Sequence, residues 1–527
     1  MNNLLTIKEA SVWASKYINK DVTEANISYL IQYGRINRYN NSGITMVSIS
    51  DIKNYYNSFN GQKELEWKNR LGDDLNWRLS FDTYKESETT KHVHRLHPYK
   101  GKFIPQLVEY FLGSHTDQFK KEVYFNRGDI ILDPFCGSGT TLAQANELGM
   151  HAIGIDISEF NAMISNCKIA NYDIDILENT ISYLSNQLAQ FQVDVDISLF
   201  ENELLLQLHY FNSKYFPSPE FKKKIYNSEI NEKEYGKNKQ EEFLPIFYAL
   251  AEKHGITING QCEDSFINKW YFGTTKREIF FMNGLIGQIQ DDIIKQIARI
   301  ILSRTIRSCR ATTHSDLATL LEPTYTTYYC TKHKKICKPL FSIKKWWDTY
   351  SKDTINRIKQ FKTIRTNTCQ YCFTDDSRNI DIEKSISKHY PILLPVFEKD
   401  KISGIFSSPP YVGLIDYHEQ HAYAYELFSL NRRDDLEIGP LFKGTGIESR
   451  KSYIEGISKV LINCKKYLRN DYETFIVAND KYNLYPLIAE KANMKIVEVF
   501  KRPVLNRTEK DKGAYSECIF RLKEKLP

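Results

Sequence analysis

Two stretches of this chain carry residue types at spacings suited to chemistry. The first is Asp133-Pro-Phe-Cys-Gly-Ser-Gly-Thr140, entered from the apolar run 130–132 and followed by a helical pattern through 148. A second apolar run, 152–155, ends in Asp156, an acid 23 positions after the first. Strand, glycine turn, helix and strand in that order bring backbone close to a ligand, Gly137 and Gly139 allowing the tight turn. The spacing of the two acids is near that at which such a unit sets a carboxylate on a ribose, so a nucleoside-containing cofactor is the expected guest. A phosphate-binding turn offers helix amides to an anion, which Asp133 would repel; an acid at that strand end suits a cation. The second stretch is Ser408-Pro-Pro-Tyr411, placed after a strand ending at Ser407. Its two prolines fix their own φ angles and restrict the residue before each, which makes the loop rigid.

The residues from Asp133 to Thr140 closely resemble motif I of the amino-methylating DNA methyltransferases. The resemblance implies S-adenosyl-L-methionine as cofactor, whose sulfonium and ammonium match the acid. Upstream, His94-Arg-Leu-His-Pro-Tyr-Lys-Gly-Lys-Phe103 resembles motif X of that family, which closes over the methionine end of the cofactor, with Lys102 and Phe103 at the positions expected to meet it. The cofactor-binding set implied is Lys102, Phe103, Asp133, Phe135, Gly137, Gly139, Thr140, Asp156 and, from the strand-three segment Thr374-Asp-Asp-Ser-Arg, Asp376, with Asp375 as second choice for the adenine amino group.

Ser408-Pro-Pro-Tyr411 resembles motif IV. An exocyclic amino group has its lone pair delocalised into the base and is a poor nucleophile. Acceptors at the Ser408 side chain and the Pro409 carbonyl would hold its hydrogens and aim the nitrogen at the methyl, with Pro410 stiffening the loop and Tyr411 stacking on the base. The base must leave the duplex to reach such a pocket. Serine at the first position is commoner among the cytosine-N4 enzymes of the family, which makes a site-specific cytosine-N4 DNA methyltransferase the expected activity and adenine N6 the alternative. A third reading, a DNA-binding regulator on an inactive methyltransferase scaffold, is opposed by the intact Asp133, Ser408 and Tyr411. Cytosine-C5 chemistry needs a nucleophilic cysteine, usually in a Pro-Cys pair, and the sequence has none. Cys136 is expected to be a packing residue.

The elements that would position these residues fit an α/β fold, a Rossmann-like class I S-adenosylmethionine-dependent methyltransferase domain. To it are added a large inserted helical recognition region and a small N-terminal winged helix-turn-helix. With 527 residues, 42% hydrophobic and 26% charged, the composition is that of a cytoplasmic globular protein with several cores, and no apolar run is long enough for a membrane helix. The 71 basic and 65 acidic residues permit a polyanionic partner without demanding one, and the resemblance supplies double-stranded DNA. A restriction-modification setting would add a cognate restriction endonuclease.

Residues 1–58 resemble a winged helix-turn-helix of the excisionase and MerR type. Thr6 and Glu9 make a capping-box signal, Thr23 caps a second helix that Gly34 stops, 44–49 is a wing strand, and Arg35 and Arg38 flank the recognition helix 27–33. Residues 59–90, charged and tryptophan-bearing from 63 to 87, are expected as a linker with a helix, 91–168 as the first part of the core, 169–373 as the inserted recognition region and 374–527 as the second part. Within the insertion, Arg304, Arg307 and Arg310 share one helix face as a phosphate stripe or a solvated edge. Cys330, His333, Cys369 and Cys372, with Cys337 as substitute, are expected to ligate a structural Zn beside Lys334 and Lys335, or else to be plain thiols. The polar loop at Arg507 is placed to touch DNA. Because the strand-three segment follows the insertion, part of the insertion is expected to be scaffold.

Overall fold

The computed structural model describes residues 4–32, 35–41, 43–117, 119–191, 195–258, 265–314, 320, 322–505 and 514–525. Among them are twelve strands: β1 (Leu4–Thr6), β2 (Tyr39–Asn41), β3 (Ile44–Ser48), β4 (Ile130–Asp133), β5 (His151–Asp156), β6 (Tyr328–Cys330), β7 (Lys335–Cys337), β8 (Gln370–Thr374), β9 (Ile402–Ser407), β10 (Leu468–Ala478), β11 (Met494–Pro503) and β12 (Ser516–Glu524). Seven form one sheet in the order β11-β12-β10-β9-β4-β5-β8. β8, β5, β4, β9 and β10 run parallel, and β12 lies antiparallel between β10 and β11. The order reverses at β4, so the C-terminal ends of β4 and β9 open a crevice, the place where such sheets hold ligands.

Alternate residues of the central strands serve opposite faces, which is why these strands read as continuous apolar runs. Ile130 and Leu132 of β4 pack with the helices Ile382–His389, Ile447–Lys465 and Tyr485–Lys491, whereas Ile131 joins Leu107, Leu142 and Ile164 on the other side. No helix among the described residues is long and apolar enough to cross a membrane.

The insertion divides in two. Leu177, Leu184, Ile297, Ile301, Trp347 and Phe361 belong to the same core cluster as the sheet face at Ile131, so these helices pack with the sheet. Phe200, Phe243, Phe247 and Phe341 build a separate core around the helices Val195–Tyr215 and Glu232–Lys253 and the β6–β7 hairpin. The chain re-enters the sheet at β8, which pairs with β5 from Ala152↔Gln370 to Asp156↔Thr374.

At the N-terminus, helices Ile7–Ile18 and Glu24–Gln32 precede β2 and β3, and β1 completes a three-stranded sheet with β3 at its centre. Thr6 and Glu9 form the reciprocal cap read from the sequence, and Thr23 and Asn26 exchange similar bonds. Gly34 and Arg507 lie outside the described residues. The stretch 59–90, expected as a linker with a helix, also touches the edge of the central sheet. It contains the helix Phe59–Leu71, buries Trp67 and Trp77, and at Leu75 bridges Lys501 of edge strand β11, with the Asn76 amide donating to the Lys501 carbonyl at 2.7 Å. An edge strand whose free groups are partly paired in this way is a poor template for aggregation.

Candidate active site

A cleft of about 830 Å³ lies at the C-terminal ends of β4, β5, β8 and β9. Lys102, Phe103, Asp133, Phe135, Gly137, Thr140, Asp156, Asp375, Asp376, Ser408 and Pro410 all line it, so the structure gathers most of the predicted residues on one cavity from segments more than 300 positions apart. Gly139, Pro409 and Tyr411 adjoin lining residues in the chain without lining the cleft themselves.

The glycine turn is held by its neighbours. The Gly137 amide donates to Asp156 Oδ2 at 2.7 Å, and the Ser158 amide and Asn161 Nδ2 donate to Oδ1 at 2.9 and 3.1 Å. Asp156 therefore braces the turn as well as facing the cleft. Gly137 adopts φ +51°, and a Cβ there would sit 3.0 Å from the Tyr99 hydroxyl; Gly139, at φ +72°, backs directly onto Ser165. Asp133 Oδ1 accepts from Ser407 Oγ at 2.5 Å and from the Phe135 amide at 3.2 Å, which ties the ends of β4 and β9 together. Burial pushes the Asp133 carboxyl up to about 6 against the hydrogen bonds from Ser407, Thr141 and Phe135, and does the same to Asp156. Two buried carboxyls whose charged forms are disfavoured by burial gain from a nearby cation. Across the cleft, Lys102 donates to the His94 carbonyl at 2.7 Å, and burial, with Arg95 and Arg357 nearby, lowers its ammonium to about 8.

Strand β9 ends at Ser407, as read from the sequence, and Ser408 is half-buried at the cleft wall. The Tyr411 hydroxyl donates to Glu517 Oε1 of β12 at 2.7 Å, and Glu517 in turn pairs with Arg502, so this ring is fixed from behind. Asp376 is gripped by Arg378 through both carboxylate oxygens, at 2.6 to 3.0 Å, while Asp375 lines the same wall. Cys136 is buried against Ser165 and burial raises its thiol, consistent with packing rather than nucleophilic attack.

Sequence reasoning assigned no site role to Tyr99, Asn161, Leu436, Glu437 or Ile438, all of which line the cleft. Tyr99 lay in a flagged segment, and Asn161 lies in the first turn of the helix Glu159–Ile169 that follows Asp156. Glu437 comes from a loop with no local pattern; it accepts from the His418 amide at 2.9 Å and bonds the His418 ring, which folds the loop onto the cleft.

The basic residues expected at a DNA surface separate into two kinds. The helix Asp292–Ser308 packs apolar residues on most of its circumference, so its arginines turn inward. Arg304 is 6% exposed, pairs with Asp353 at 2.6 Å and covers Tyr350, and Arg310 is buried over Tyr423 with Nε donating to the Arg307 carbonyl at 2.9 Å. Arg307 is half-buried beside them. These three do not form an outward stripe. Arg35 pairs with Asp82, and Lys334 with Glu232 at 2.6 Å, whereas Arg38 and Lys335 are exposed. The predicted metal set is also divided: Cys369 immediately precedes β8 and Cys372 lies within it, packing toward Cys136 beneath Gly154, because their two-residue gap belongs to the entry of a strand and not to a metal knuckle.

A parallel-rich sheet with a glycine turn and acids at two strand ends, and a Ser-Pro-Pro-Tyr loop at a third, defines a methyltransferase of the amino-methylating class. The comparisons agree. A family model described as DNA methylase matches residues 7–166. The chain is 48% identical over 525 residues to the Type II methyltransferase M.MjaII of Methanocaldococcus jannaschii, covering 99% of this chain and 97% of the relative. It is 28% identical over 124 residues, 24% of this chain and 26% of the relative, to the Type II methyltransferase M.MvaI of Kocuria varians. It is 38% identical over 72 residues, 14% of this chain and 13% of the relative, to M.BsoBI of Geobacillus stearothermophilus. The chain belongs to the N4/N6 amino-methylating family of DNA methyltransferases.

Proposed function

We propose that the protein transfers a methyl group from S-adenosylmethionine to the exocyclic N4 of cytosine at a specific site in duplex DNA, as the modifying half of a restriction-modification system. The observation that carries this reading is the meeting of two buried, proton-raised acids and the Ser408 loop on one cleft. S-adenosylmethionine, when bound, supplies an electrophilic methyl on a positively charged sulfur. Asp133 and Asp156 would favour that positive ligand, Lys102 would meet its carboxylate, and Asp375 or Asp376 its adenine. Ser408 Oγ and the Pro409 carbonyl would accept the amino hydrogens of a flipped base, directing the nitrogen lone pair inward. Of the basic residues expected at DNA, Arg38 and Lys335 are exposed among the described residues and would meet phosphate.

The serine at position 408 favours cytosine N4 through the resemblance, with adenine N6 the alternative. Nucleoside mass spectrometry on DNA from cells expressing the protein is expected to show N4-methylcytosine. N6-methyladenine in its place would transfer the same geometry to the other base.

The raised acids also set a pH dependence. Below about 6 both carboxyls take up protons and lose their attraction for a cation, so cofactor affinity is expected to fall about tenfold per carboxyl between pH 7.5 and about pH 5. In the ligand-free protein the sign is opposite. The folded-state values lie above the ordinary 3.8, the native state holds more protons, and stability declines as pH rises from about 4 through about 6. Calorimetric titration at the two pH values checks the first statement, and a flat affinity profile would remove both acids from cation binding.

A further inference from the structure

Far from the cleft in sequence, four side chains converge in the separate half of the insertion. Cys330 closes β6, Cys337 closes β7, His333 lies in the turn between them, and His314 reaches the same point from 16 residues upstream. Their donor atoms all lie within 4.8 Å of one another. The individual edges are Cys330 Sγ to His333 Nδ1, 3.5 Å; Cys337 Sγ to His333 Nδ1, 3.5 Å; and Cys330 Sγ to His314 Nδ1, 3.7 Å. A tetrahedral zinc with bonds of about 2.3 Å to sulfur and about 2.0–2.1 Å to nitrogen places neighbouring sulfur and nitrogen ligands about 3.6 Å apart. These three sulfur–nitrogen edges match that figure.

The local backbone fits the same reading. Lys334 adopts φ +56°, which turns the chain sharply after His333, and the His333 amide points at Cys330 Sγ at 3.4 Å, a bond that supports a thiolate. The Tyr328 hydroxyl shares His314 Nδ1 at 2.7 Å and would give way on ligation. Both cysteines are buried, although the hairpin is only three residues long on each side and has little core of its own. The hairpin is pinned between two long helices: Asn212 bonds both the Ile336 amide and carbonyl, at 2.9 and 3.0 Å, and Gln240 accepts from the Tyr329 amide at 2.9 Å. Gly236 provides the room, since a Cβ there would meet the Tyr329 ring at 2.4 Å.

We propose that His314, Cys330, His333 and Cys337 bind one structural zinc ion that staples this hairpin to the helices Val195–Tyr215 and Glu232–Lys253. The set replaces the one expected from spacing alone: His314 and Cys337 take the places of Cys369 and Cys372, which lie just before β8 and within it. Two thiols release their protons on binding, so the site stabilises the folded insertion and holds exposed Lys332 and Lys335 in a fixed direction.

Full-length protein purified without added metal is expected to carry about one equivalent of zinc by plasma mass spectrometry, and the Cys330→Ser/Cys337→Ser double variant less than about a tenth. His314→Asn, which should fold, is expected to lose zinc to a competing chelator about tenfold or more faster than the parent chain, while Cys369→Ser keeps its metal. Replacement of zinc by cobalt(II) is expected to give the strong visible bands of a tetrahedral thiolate site. Less than about a tenth of an equivalent in the parent chain even after dialysis against zinc, zinc retained undiminished by His314→Asn, or zinc lost from Cys369→Ser would each overturn the assignment.

Discussion

Replacing Ser408 with alanine is expected to lower the rate of methyl transfer by about 10²- to 10³-fold while leaving cofactor affinity unchanged, the range found when one preorganised hydrogen-bonding partner of a reacting group is removed. The separation of the two effects follows from the geometry. The preceding residue, Ser407, is the one bonded to Asp133, so the cofactor side of the cleft keeps its brace when Ser408 loses its hydroxyl. Pro409 and Pro410 hold the loop whatever the side chain at 408. The loss should appear in kcat more than in the KM for DNA, because the hydroxyl is asked to act on the amino group as it reacts and not on the phosphate backbone. Single-turnover methylation with saturating cofactor and DNA measures it. A variant with the parent rate would remove Ser408 from the reaction and leave the Pro409 carbonyl as the acceptor to test next.

The parts of this molecule that were legible from sequence are those in which the local pattern and the tertiary role coincide. Ile130 to Asp133 reads as a buried strand ending in an acid because both faces of β4 are covered, and Ser407 ends β9 because two prolines follow it. Thr6 and Glu9 cap a helix using only each other. What failed to read was direction. The three-residue steps of Arg304, Arg307 and Arg310 place them on one face, but periodicity does not say whether that face meets water, and Asp353 and Tyr350, which bury Arg304, come from another helix. Cys369 and Cys372 imitate a metal pair because a two-residue gap is shared by knuckles and by strands. The charged stretch 59–90 reads as a linker with a helix, and only the fold shows Trp67 and Trp77 packed into the N-terminal core. Glu437 and His314 meet their partners only through the fold, across stretches with no periodic pattern, and no spacing rule would have found them.

Gly139→Ala is expected to be the most damaging single substitution of the cofactor turn, lowering stability by about 2–5 kcal/mol and abolishing tight cofactor binding. Two costs add. An alanine at φ +72° is held in the left-handed region, at about 1–2 kcal/mol. Its Cβ would also lie 2.8 Å from Ser165 Oγ and 2.9 Å from both Cα and Cβ of Ser165, well inside ordinary contact, and forcing extra volume into a packed site costs about 1–3 kcal/mol. A backbone atom is among those met, so rotating the serine cannot relieve the overlap. Ser165 has little freedom to retreat, because its hydroxyl donates to the Gly137 carbonyl at 2.9 Å and receives the Cys136 thiol at 3.6 Å. Displacing it would pull on Gly137, whose amide is fixed to Asp156, and so disturb the wall of the cleft at the acid expected to meet the cofactor. A fall in melting temperature of roughly 5–15 °C together with at least tenfold weaker binding is therefore expected. Adding Ser165→Gly removes two of the three overlapping atoms and should recover part of the stability, but neither the strained φ nor the lost serine bonds. If Gly139→Ala melted and bound cofactor like the parent chain, the turn would have to be looser than its contacts with Ser165 require.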